Sequence, residues 1–584
     1  MNTLDYRNTN TLWASVMVET LSRLGLTTAV ICPGSRSTPL TVALARHPNI
    51  ETIPILDERS AAFFALGCAK RSHLPTVLVC TSGTAGAHFF PAVVEAKESH
   101  IPLIVLTADR PPEMRTCASG QTIDQQKLFG DFVNGYGEMA IPDTQLLPYA
   151  RQTIVQTWVR AISPIPGPVQ LNCPFKDPLS PLSESIEHPL DETSFFAAVA
   201  PPILGQINPP LLPQSILDSW SNTQRGLIVA GPIQPKEPKS YCHAVAQLSH
   251  TLGWPVLAES LSPLRNYQSL NPYLISTYDS LLRHTADRLI PDQIIQLGPL
   301  PTSKVLRQWL SQHQPLTYQV TPYPINVDPL HGRTQYLTIS VESLGKLVSS
   351  QQFVAETSGY CQVWMNYDRT LQQTLTHTLQ SLDTPFEGKI SWLLSQYIPE
   401  GTPLIIANSM PIRDMESFWQ ANDRHIQPYF SRGANGIDGT LSAAMGVAHN
   451  NQNSLLLTGD LAFLHDTNGL LNSRYLNGSL TVILINNQGG GIFEMLPIAD
   501  FEPPFGKYFA TPQTVNIETL CHAYSIQYNL IKTWDQLIKQ IQEVSLPNQS
   551  CLRVLEFRTD RKADAHWRQT QLISLAKSTL TSLG

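Results

Sequence analysis

Two short, continuously apolar runs, SLLLT at 454–458 and LTVILI at 480–485, constrain the fold of this chain more than any other feature. Runs of this length and composition are typical of parallel strands that are buried on both faces of a sheet. Gly459 and Asp460 follow the first run, and Asn487 follows the second. Asp460 and Asn487 therefore fall at the carboxyl ends of two strands, where open α/β sheets bind ligands.

A carboxylate, an amide and a glycine turn follow these two strands, at Asp460, Asn487 and Gly489. Oxygen ligands of this kind suit Mg²⁺, which binds through one or two protein oxygens together with substrate phosphates. The pattern predicts a site for a metal ion and a diphosphate group. The alternative is an ordinary strand-end turn, because Asp, Asn and Gly favour turns in any protein.

Apolar runs of the same kind recur in three blocks, at 1–185, 210–350 and 385–584. Their alternation with helical patterns predicts three doubly wound α/β domains with parallel sheets. It also suggests a weak internal repeat of one fold type. The further runs are 27–32, 52–56, 76–80, 102–106, 225–233, 254–260, 292–300 and 402–409.

Two kinds of connector separate the blocks. Proline clusters at 173–182 and 201–213 predict an exposed linker after the first block. The polar segment 351–385 is helical in character and predicts a second connector.

The charge balance and the cysteine pattern exclude several classes of protein. The 584 residues carry 39 basic and 46 acidic side chains, a net charge of −7, which argues against a nucleic-acid-binding protein. Nine cysteines are scattered without a CxxC pair, so we expect reduced thiols and a cytoplasmic location. We expect no membrane span, because no run of about 18 apolar residues occurs.

Three polar turns follow strands of the first block. Glu58 begins a helical segment after the run at 52–56, where a glutamate is usually a solvated cap. The functional alternative is a carboxylate that tunes the acidity of a bound cofactor. Ser35 and Arg36, at a helix start, indicate an anion site. Thr81-Ser82-Gly83 lets a ligand approach the backbone, although ordinary turn chemistry also accounts for its serine and glycine.

Cationic side chains follow several predicted strands, at Arg110, Lys304, Arg413 and Arg432. Each is singly more typical of a solvated surface charge. Together they suggest a substrate with several carboxylates, which the planar fork of arginine matches. After the Asn487 turn come Ile492, Phe493 and Leu496, which are either plain core residues or an apolar wall over a reacting centre.

Several common catalytic signatures do not occur in the sequence. It has no GxxxxGK[ST] loop, no GxGxxG fingerprint, no GxSxG elbow and no HExxH pair. Hydrolase and dehydrogenase interpretations therefore lack their usual support.

With these motifs in order, the chain resembles a thiamine diphosphate-dependent enzyme, and more closely the 2-succinyl-5-enolpyruvyl-6-hydroxy-3-cyclohexene-1-carboxylate synthase family of menaquinone or phylloquinone biosynthesis. The matching blocks run in order along nearly the whole chain. They are CPGSRSTPLT (32–41), DERSAAFFALG (57–67), TSGTAGAHFFPAVVEA (81–96), LTADRPPE (106–113), SRGANGIDGTLSAAMG (431–446) and NNQGGGIFEMLP (486–497).

The resemblance implies a pyrimidine-binding domain, a central domain and a diphosphate-binding domain, in that order. It also implies a homodimer or homotetramer whose active sites lie at the subunit interface. The implied cofactors are thiamine diphosphate and Mg²⁺, with Mn²⁺ as a substitute. The implied substrates are 2-oxoglutarate, which is decarboxylated, and isochorismate, to which the succinyl carbanion adds.

Residue roles follow from the matching positions. Glu58 resembles the catalytic glutamate that activates the cofactor, and Ile437 resembles the apolar prop beneath it. Asp460, Asn487 and the Gly489 carbonyl resemble the metal ligands. The remaining implied cofactor contacts are Ser82, Gly83, Gly459, Ile492 and Phe493. The implied substrate contacts are Ser35, Arg36, Arg110, Gln121, Lys304, Ser409, Arg413, Arg432, Ile492, Phe493 and Leu496.

Two other interpretations remain open at this point. The chain could be another thiamine diphosphate-dependent 2-oxoacid decarboxylase or carboligase, which would not need so many basic residues. It could also be a binding or scaffold protein that kept the fold, although Glu58, Asp460 and Asn487 argue against that interpretation.

Overall fold

The structure is a computed structural model that describes residues 4–184, 190–203, 212–351, 358–545 and 552–577. The described residues divide into two compact units. The first takes in those of Met1–Gly205, Ser431–Gln452 and Ala462–Leu480, and the second those of Gln206–Phe430, Asn453–Leu461 and Thr481–Gly584.

The first unit contains a sheet of six parallel strands in the order β2-β1-β3-β4-β6-β5. The strands are β1 (Thr28–Ile31), β2 (Glu51–Pro54), β3 (Thr76–Cys80), β4 (Leu103–Asp109), β5 (Gly135–Glu138) and β6 (Pro168–Pro174). Every residue of β3, β4 and β6 is buried, which explains why these strands read as continuous apolar runs. The helices are α1 (Thr9–Leu24), α2 (Thr38–Arg46), α3 (Glu58–Ser72), α4 (Phe90–Glu98), α5 (Leu147–Ile162) and α6 (Glu192–Phe195).

The second sheet lies in the second unit and has the order β12-β11-β10-β7-β8-β9, again with all pairs parallel. Its strands are β7 (Gly226–Ala230), β8 (Val256–Ala258), β9 (Leu274–Ile275), β10 (Gln293–Leu297), β11 (Leu316–Thr321) and β12 (Thr334–Thr338). The helices of this part are α7 (Gln214–Asn222), α8 (Pro238–Leu252), α9 (Tyr278–Thr285), α10 (Lys304–His313), α11 (Val341–Ser349) and α12 (Gly359–Gln380).

The third sheet has the order β14-β13-β15-β16-β18-β17. Its strands are β13 (Leu404–Ile406), β14 (Pro428–Tyr429), β15 (Asn451–Gly459), β16 (Gly478–Asn486), β17 (Gln527–Ile531) and β18 (Leu552–Arg558). The helices of this part are α13 (Glu387–Tyr397), α14 (Met410–Phe418), α15 (Thr440–Ala448), α16 (Asp460–His465), α17 (Ile517–Ala523), α18 (Trp534–Gln542) and α19 (Arg561–Trp567).

Helices α3 and α15 both belong to the first unit and pack with almost no space between their backbones. A Cβ on Gly446 would lie 2.0 Å from the carbonyl oxygen of Phe64, and one on Gly67 would lie 2.1 Å from that of Ala443. Only glycine allows this approach. The packing positions α3, whose first residue is Glu58, against the segment that follows Ile437.

The sequence-based prediction of three parallel α/β sheets is confirmed, and the apolar runs form strands where they were expected. The expected repeat of one fold type holds for the first and third sheets, which share one strand order. It is wrong for the second sheet, whose strand order is different.

The first predicted connector needs correction. The segment 173–182 does not begin as a linker, because β6 continues to Pro174 and Phe175 is fully buried. The amide of Phe175 donates to the carbonyl of Asp109, which extends the pairing with β4. Of the second proline cluster, residues 204–211 lie outside the described residues. The helical character predicted for 351–385 is confirmed, because the segment consists largely of α12; its residues 352–357 also lie outside the described residues.

Within the described ranges, no helix is both long enough and apolar enough to cross a membrane.

Candidate active site

The carboxyl ends of β15 and β16 carry the oxygen atoms that the sequence predicts as metal ligands. The two strands are neighbours in the third sheet, with Asp460 directly after β15 and Asn487 directly after β16. The amide nitrogen of Gly489 donates to Asp460 Oδ2 at 2.8 Å. This hydrogen bond joins the two strand ends, so the structure brings the three predicted ligands together.

Asp460 is a buried carboxylate with an exposed fraction of 4%. Its Oδ1 accepts from the amide nitrogen of Leu461 at 2.8 Å. Burial, together with a smaller effect of the charge of Glu387, raises the pKa of Asp460 to about 6, although backbone hydrogen bonds oppose this rise. A cation beside Asp460 would offset the unfavourable burial of its charge.

The side chain of Asn487 is also buried, and only half of its amide is satisfied. Its Nδ2 donates to Glu387 Oε2 at 2.9 Å, whereas its buried Oδ1 has no hydrogen-bond partner among the described residues. A buried acceptor without a partner costs about 1–3 kcal/mol. A metal ion at Oδ1 would remove that cost.

Two glycines shape the same turn. Gly489 has φ +130°, and a Cβ there would lie 2.1 Å from the carbonyl oxygen of Ala510, so only glycine fits. Its carbonyl oxygen accepts from the amide of Gly491 at 2.9 Å, which leaves its second lone pair for a ligand. At Gly459, by contrast, no atom lies within 4 Å of an added Cβ. The open space at Gly459, the buried carboxylate of Asp460 and the unpaired amide oxygen of Asn487 together fit a dication and a diphosphate group.

The apolar residues after this turn do not lie in the core. Ile492 and Phe493 are partly buried in a short 3₁₀ turn, Gly491–Met495, and Leu496 is exposed at 42%. Phe493 packs edge-on against Phe509, with ring centroids 5.7 Å apart. The structure therefore supports an apolar surface next to the Gly489 turn and not the alternative of core residues.

In the first unit, Glu58 is the first residue of α3, but it is not the cap. Asp57 caps the helix by accepting from the amides of Arg59 and Ser60. Glu58 is only partly buried and makes no side-chain hydrogen bond within the described part of the chain. Burial raises the pKa of the Cys80 thiol, and the charge of Glu58 adds to this effect. The carboxylate thus lies near the carboxyl end of β3 and is available to a ligand.

The turns after β1 and β3 meet where the strand order of the first sheet reverses, the usual ligand position in such sheets. A Cβ on Gly34 would lie 2.2 Å from the Cβ of Thr81. The amide of Arg36 donates to Thr81 Oγ1 at 3.3 Å. Ser35 is exposed beside this contact. These predicted substrate residues therefore lie next to the predicted cofactor turn.

The turn after β3 also contacts Gln121. Gln121 Nε2 donates to the carbonyl of Ser82 at 3.1 Å, and Gly83, at φ +89°, is covered by the Gln121 side chain. The buried Oγ of Ser82 has no hydrogen-bond partner among the described residues. Like Asn487 Oδ1, it is a polar atom that a ligand could satisfy.

Two arginines, Arg36 and Arg110, follow strands of the first sheet. Arg36 is 7% exposed and donates to the carbonyl of Phe175 at 2.8 Å. Burial lowers the pKa of Arg36, and the nearby charge of Arg110 lowers it further. Arg110 Nε donates to the carbonyl of Gly120 at 2.8 Å. Arg36 Nη1 also lies 3.8 Å from Asp177 Oδ1. Guanidinium groups at one sheet edge favour the binding of a carboxylate there.

Arg432 and Ile437 lie in the segment before α15, which also belongs to the first unit. The buried carboxylate of Glu95 holds this segment by accepting from the amides of Gly433 at 3.1 Å and Ala434 at 2.7 Å. Lys70 pairs with the same carboxylate at 3.5 Å. The backbone beside Arg432 is therefore firmly attached to α4.

The remaining predicted substrate residues lie in the second unit. Lys304 is exposed at the start of α10. Ser409 precedes α14 with φ +75°, and its carbonyl accepts from Arg413 at 2.7 Å. Ser409 and Arg413 are thus brought together.

The structure adds buried polar partners that the sequence did not indicate. Glu95 holds the segment of Arg432, Gln125 accepts from the amide of Gly83 at 2.9 Å, and Glu387 accepts from Asn487. Each lies at least 40 positions from the residue it contacts. No local sequence signal could have identified these pairs.

Comparison with known proteins gives matches along nearly the whole chain. Residues 13–128 match the N-terminal binding domain of thiamine pyrophosphate enzymes, thiamine pyrophosphate being another name for thiamine diphosphate. Residues 206–406 match the middle domain of these enzymes. Residues 413–555 match their C-terminal binding domain.

Similar curated proteins cover the full length. A 2-succinyl-5-enolpyruvyl-6-hydroxy-3-cyclohexene-1-carboxylate synthase of Gloeothece citriformis is 54% identical over 578 residues, 98% of this chain and 99% of the relative. The protein of that name from Acaryochloris marina is 53% identical over 587 residues, 99% of this chain and 100% of the relative. The chain therefore belongs to the 2-succinyl-5-enolpyruvyl-6-hydroxy-3-cyclohexene-1-carboxylate synthase family of thiamine diphosphate-dependent enzymes.

Proposed function

We propose that this chain performs the reaction for which its relatives are named. It is a transferase that decarboxylates 2-oxoglutarate and joins the resulting succinyl unit to isochorismate by conjugate addition. The product is 2-succinyl-5-enolpyruvyl-6-hydroxy-3-cyclohexene-1-carboxylate, an intermediate of phylloquinone or menaquinone biosynthesis. The observation that carries this proposal is the pair of buried oxygen ligands, Asp460 and Asn487, in a chain of this family.

Thiamine diphosphate, when bound, supplies the electron sink that stabilises negative charge on the substrate carbon after CO₂ leaves. We assign its pyrimidine-binding domain to residues 1–185, a central domain to 210–350 and its diphosphate-binding domain to 385–584. Asp460, Asn487 and the Gly489 carbonyl would hold Mg²⁺, or Mn²⁺ in its place. The open space at Gly459 would admit the diphosphate.

Glu58 is assigned the proton-handling role. Its side chain would hold a proton at a ring nitrogen of the aminopyrimidine, which requires a carboxylate not occupied by the protein's own hydrogen bonds. The lack of a side-chain hydrogen bond at Glu58 within the described residues supports this role. Ser82 and Gly83 would lie along the cofactor, and Ile437 would support it from the apolar side.

The cationic residues would bind the substrates, both of which are carboxylates. Arg36 and Arg110 follow β1 and β4 of the first sheet, and the presence of two arginines at this sheet edge supports a carboxylate site there. Ser35 and Gln121 adjoin that edge. We assign Lys304, Ser409, Arg413 and Arg432 to the same task. Ile492, Phe493 and Leu496 would exclude water from the reacting carbon.

We further propose a homodimer or homotetramer with active sites at subunit interfaces, in a cytoplasmic location. The absence of disulfides among the eight described cysteines supports a reducing compartment, and Cys551 lies outside the described residues. We assign neither a nucleic-acid partner nor a membrane partner.

The direct test incubates the purified chain with isochorismate, 2-oxoglutarate, thiamine diphosphate and Mg²⁺, and detects the product by mass spectrometry. We expect product only when both substrates and both cofactors are present. A parallel reaction with pyruvate in place of 2-oxoglutarate is the control. Release of CO₂ from pyruvate without turnover of 2-oxoglutarate would instead identify another decarboxylase or carboligase.

A further inference from the structure

The orientation of the Asn487 amide is decided by a residue 100 positions earlier in the chain. Asn487 Nδ2 donates to Glu387 Oε2 at 2.9 Å. An ionised carboxylate can only accept hydrogen bonds, and only the nitrogen of an amide can donate. The NH₂ group must therefore face Glu387, and Oδ1 must point the other way, where it has no partner among the described residues.

Glu387 is itself held firmly. It is the first residue of α13 and only 1% exposed. Its other oxygen, Oε1, pairs with Arg568 at 2.8 Å, and Arg568 also pairs with Asp414 at 2.5 Å. The two oxygens of Glu387 thus have different partners: Oε1 pairs with the guanidinium of Arg568, and Oε2 accepts from the side-chain amide of Asn487.

We propose that Glu387 is a positioning residue of the metal–diphosphate site, which keeps Asn487 Oδ1 directed at the metal ion. Glu387 contacts neither of the strand-end oxygens expected to ligate the metal, and it acts only through the Asn487 amide. Without Glu387, the Asn487 amide can rotate and direct its NH₂ group at the metal ion. That orientation is repulsive, because the NH₂ group carries a partial positive charge. The proposal rests on the proposed role of Asn487 as a metal ligand.

The first test measures the Mg²⁺ dependence of thiamine diphosphate binding by calorimetry, without substrates. For Glu387→Gln we expect Mg²⁺ affinity about 10–100-fold weaker than in the wild type, the usual loss for a partner behind a metal ligand. The matched control is Glu416→Gln, a buried carboxylate paired with Arg265 at 3.0 Å and without contact to the metal residues. It should leave Mg²⁺ affinity unchanged, even if it lowers the melting temperature of the apoprotein.

A second test exchanges the donor and the acceptor. Asn487→Asp alone places two carboxylates face to face, so we expect weak Mg²⁺ binding. Glu387→Gln combined with Asn487→Asp restores one donor and one acceptor, and still leaves an oxygen for the metal. We expect the double variant to bind Mg²⁺ more tightly than either single variant, an effect that a merely structural role of Glu387 would not produce.

The outcomes separate the two proposals. If Asn487→Ala abolishes Mg²⁺ binding but Glu387→Gln binds it with wild-type affinity, Glu387 does not position the ligand. If the double variant shows no recovery, the donor–acceptor argument is wrong. If Asn487→Ala binds Mg²⁺ normally, the proposed metal site itself is wrong.

Discussion

The first and third sheets have the same topology but carry different chemistry at their strand ends. Numbered within each sheet, both follow the strand order 2-1-3-4-6-5, in which the second and the fifth strands form the two edges. In the third sheet, the third and fourth strands are followed by Asp460 and Asn487, the proposed oxygen ligands. In the first sheet, the corresponding strands are followed by Thr81 and Arg110. The fold provides the positions, and the residues at those positions decide what is bound.

The second sheet shows the opposite case. Its strand order reverses between β7 and β10, where dinucleotides bind in other proteins of this topology. There the two turns are in backbone contact, since a Cβ on Gly231 would lie 1.7 Å from the carbonyl oxygen of Pro299. This close approach of two turns contrasts with the third sheet, where no atom lies within 4 Å of a Cβ added at Gly459.

The largest effect should come from Glu58→Gln in the first sheet. Loss of the proton-handling carboxylate is expected to lower kcat by about 10²–10⁴-fold, because that is the usual contribution of a general acid or base. Mg²⁺-dependent binding of thiamine diphosphate should be nearly unchanged in calorimetry. Equal activity of the variant and the wild type would remove Glu58 from the mechanism.

In the third sheet, Asp460→Ala should act mainly on Mg²⁺ binding and less on the reaction steps that follow. We expect Mg²⁺ affinity to fall by more than about 100-fold, beyond the loss typical of a residue that only supports a ligand. High Mg²⁺ concentrations should partly restore activity. If Asp460→Ala binds Mg²⁺ with wild-type affinity, the third sheet does not hold the metal ion, and the proposed contrast between the first and third sheets is wrong.

The two inactive variants can also be mixed. If each active site combines Glu58 of one subunit with Asp460 of its partner, a mixed dimer of Glu58→Gln and Asp460→Ala contains one intact site. Equal mixing after dissociation should then recover about a quarter of wild-type activity, since half of the dimers are mixed. The same variants mixed without dissociation are the control. No recovery would place both residues of a site in one subunit.

The smallest expected effects are changes in stability on replacing two glycines, Gly34 and Gly459, with alanine. Gly34→Ala should destabilise the protein by about 1–3 kcal/mol, because the new methyl group meets Thr81 Cβ at 2.2 Å and that atom cannot rotate away. Gly459→Ala should change stability by less than about 0.5 kcal/mol, since its Cβ meets nothing. Yet Gly459→Ala should weaken cofactor binding. Thermal melting with and without thiamine diphosphate and Mg²⁺ distinguishes the two; equal destabilisation of the apoprotein by both would contradict the assignment.

The sequence predicted the elements and the strand-end residues well, because both are local properties. Buried strands read as apolar runs, and the turns after them contain Ser35, Glu58, Ser82 and Asp460. The predicted runs did not include the edge strands β5 and β12, which are not buried and have no apolar run. They did not include β9, β11, β17 and β18 either. It also placed a linker where β6 still pairs with β4.

The sequence by itself determined the α/β class, the family and the polar residues that follow each strand. Only the tertiary structure decided which distant side chains hold those residues in place. Glu387 directs Asn487, Glu95 holds the segment of Arg432, and Gln125 holds Gly83. The physical reason is that a buried polar group must find a partner wherever the folded chain brings one within about 3 Å, and spacing along the sequence carries no information about that partner.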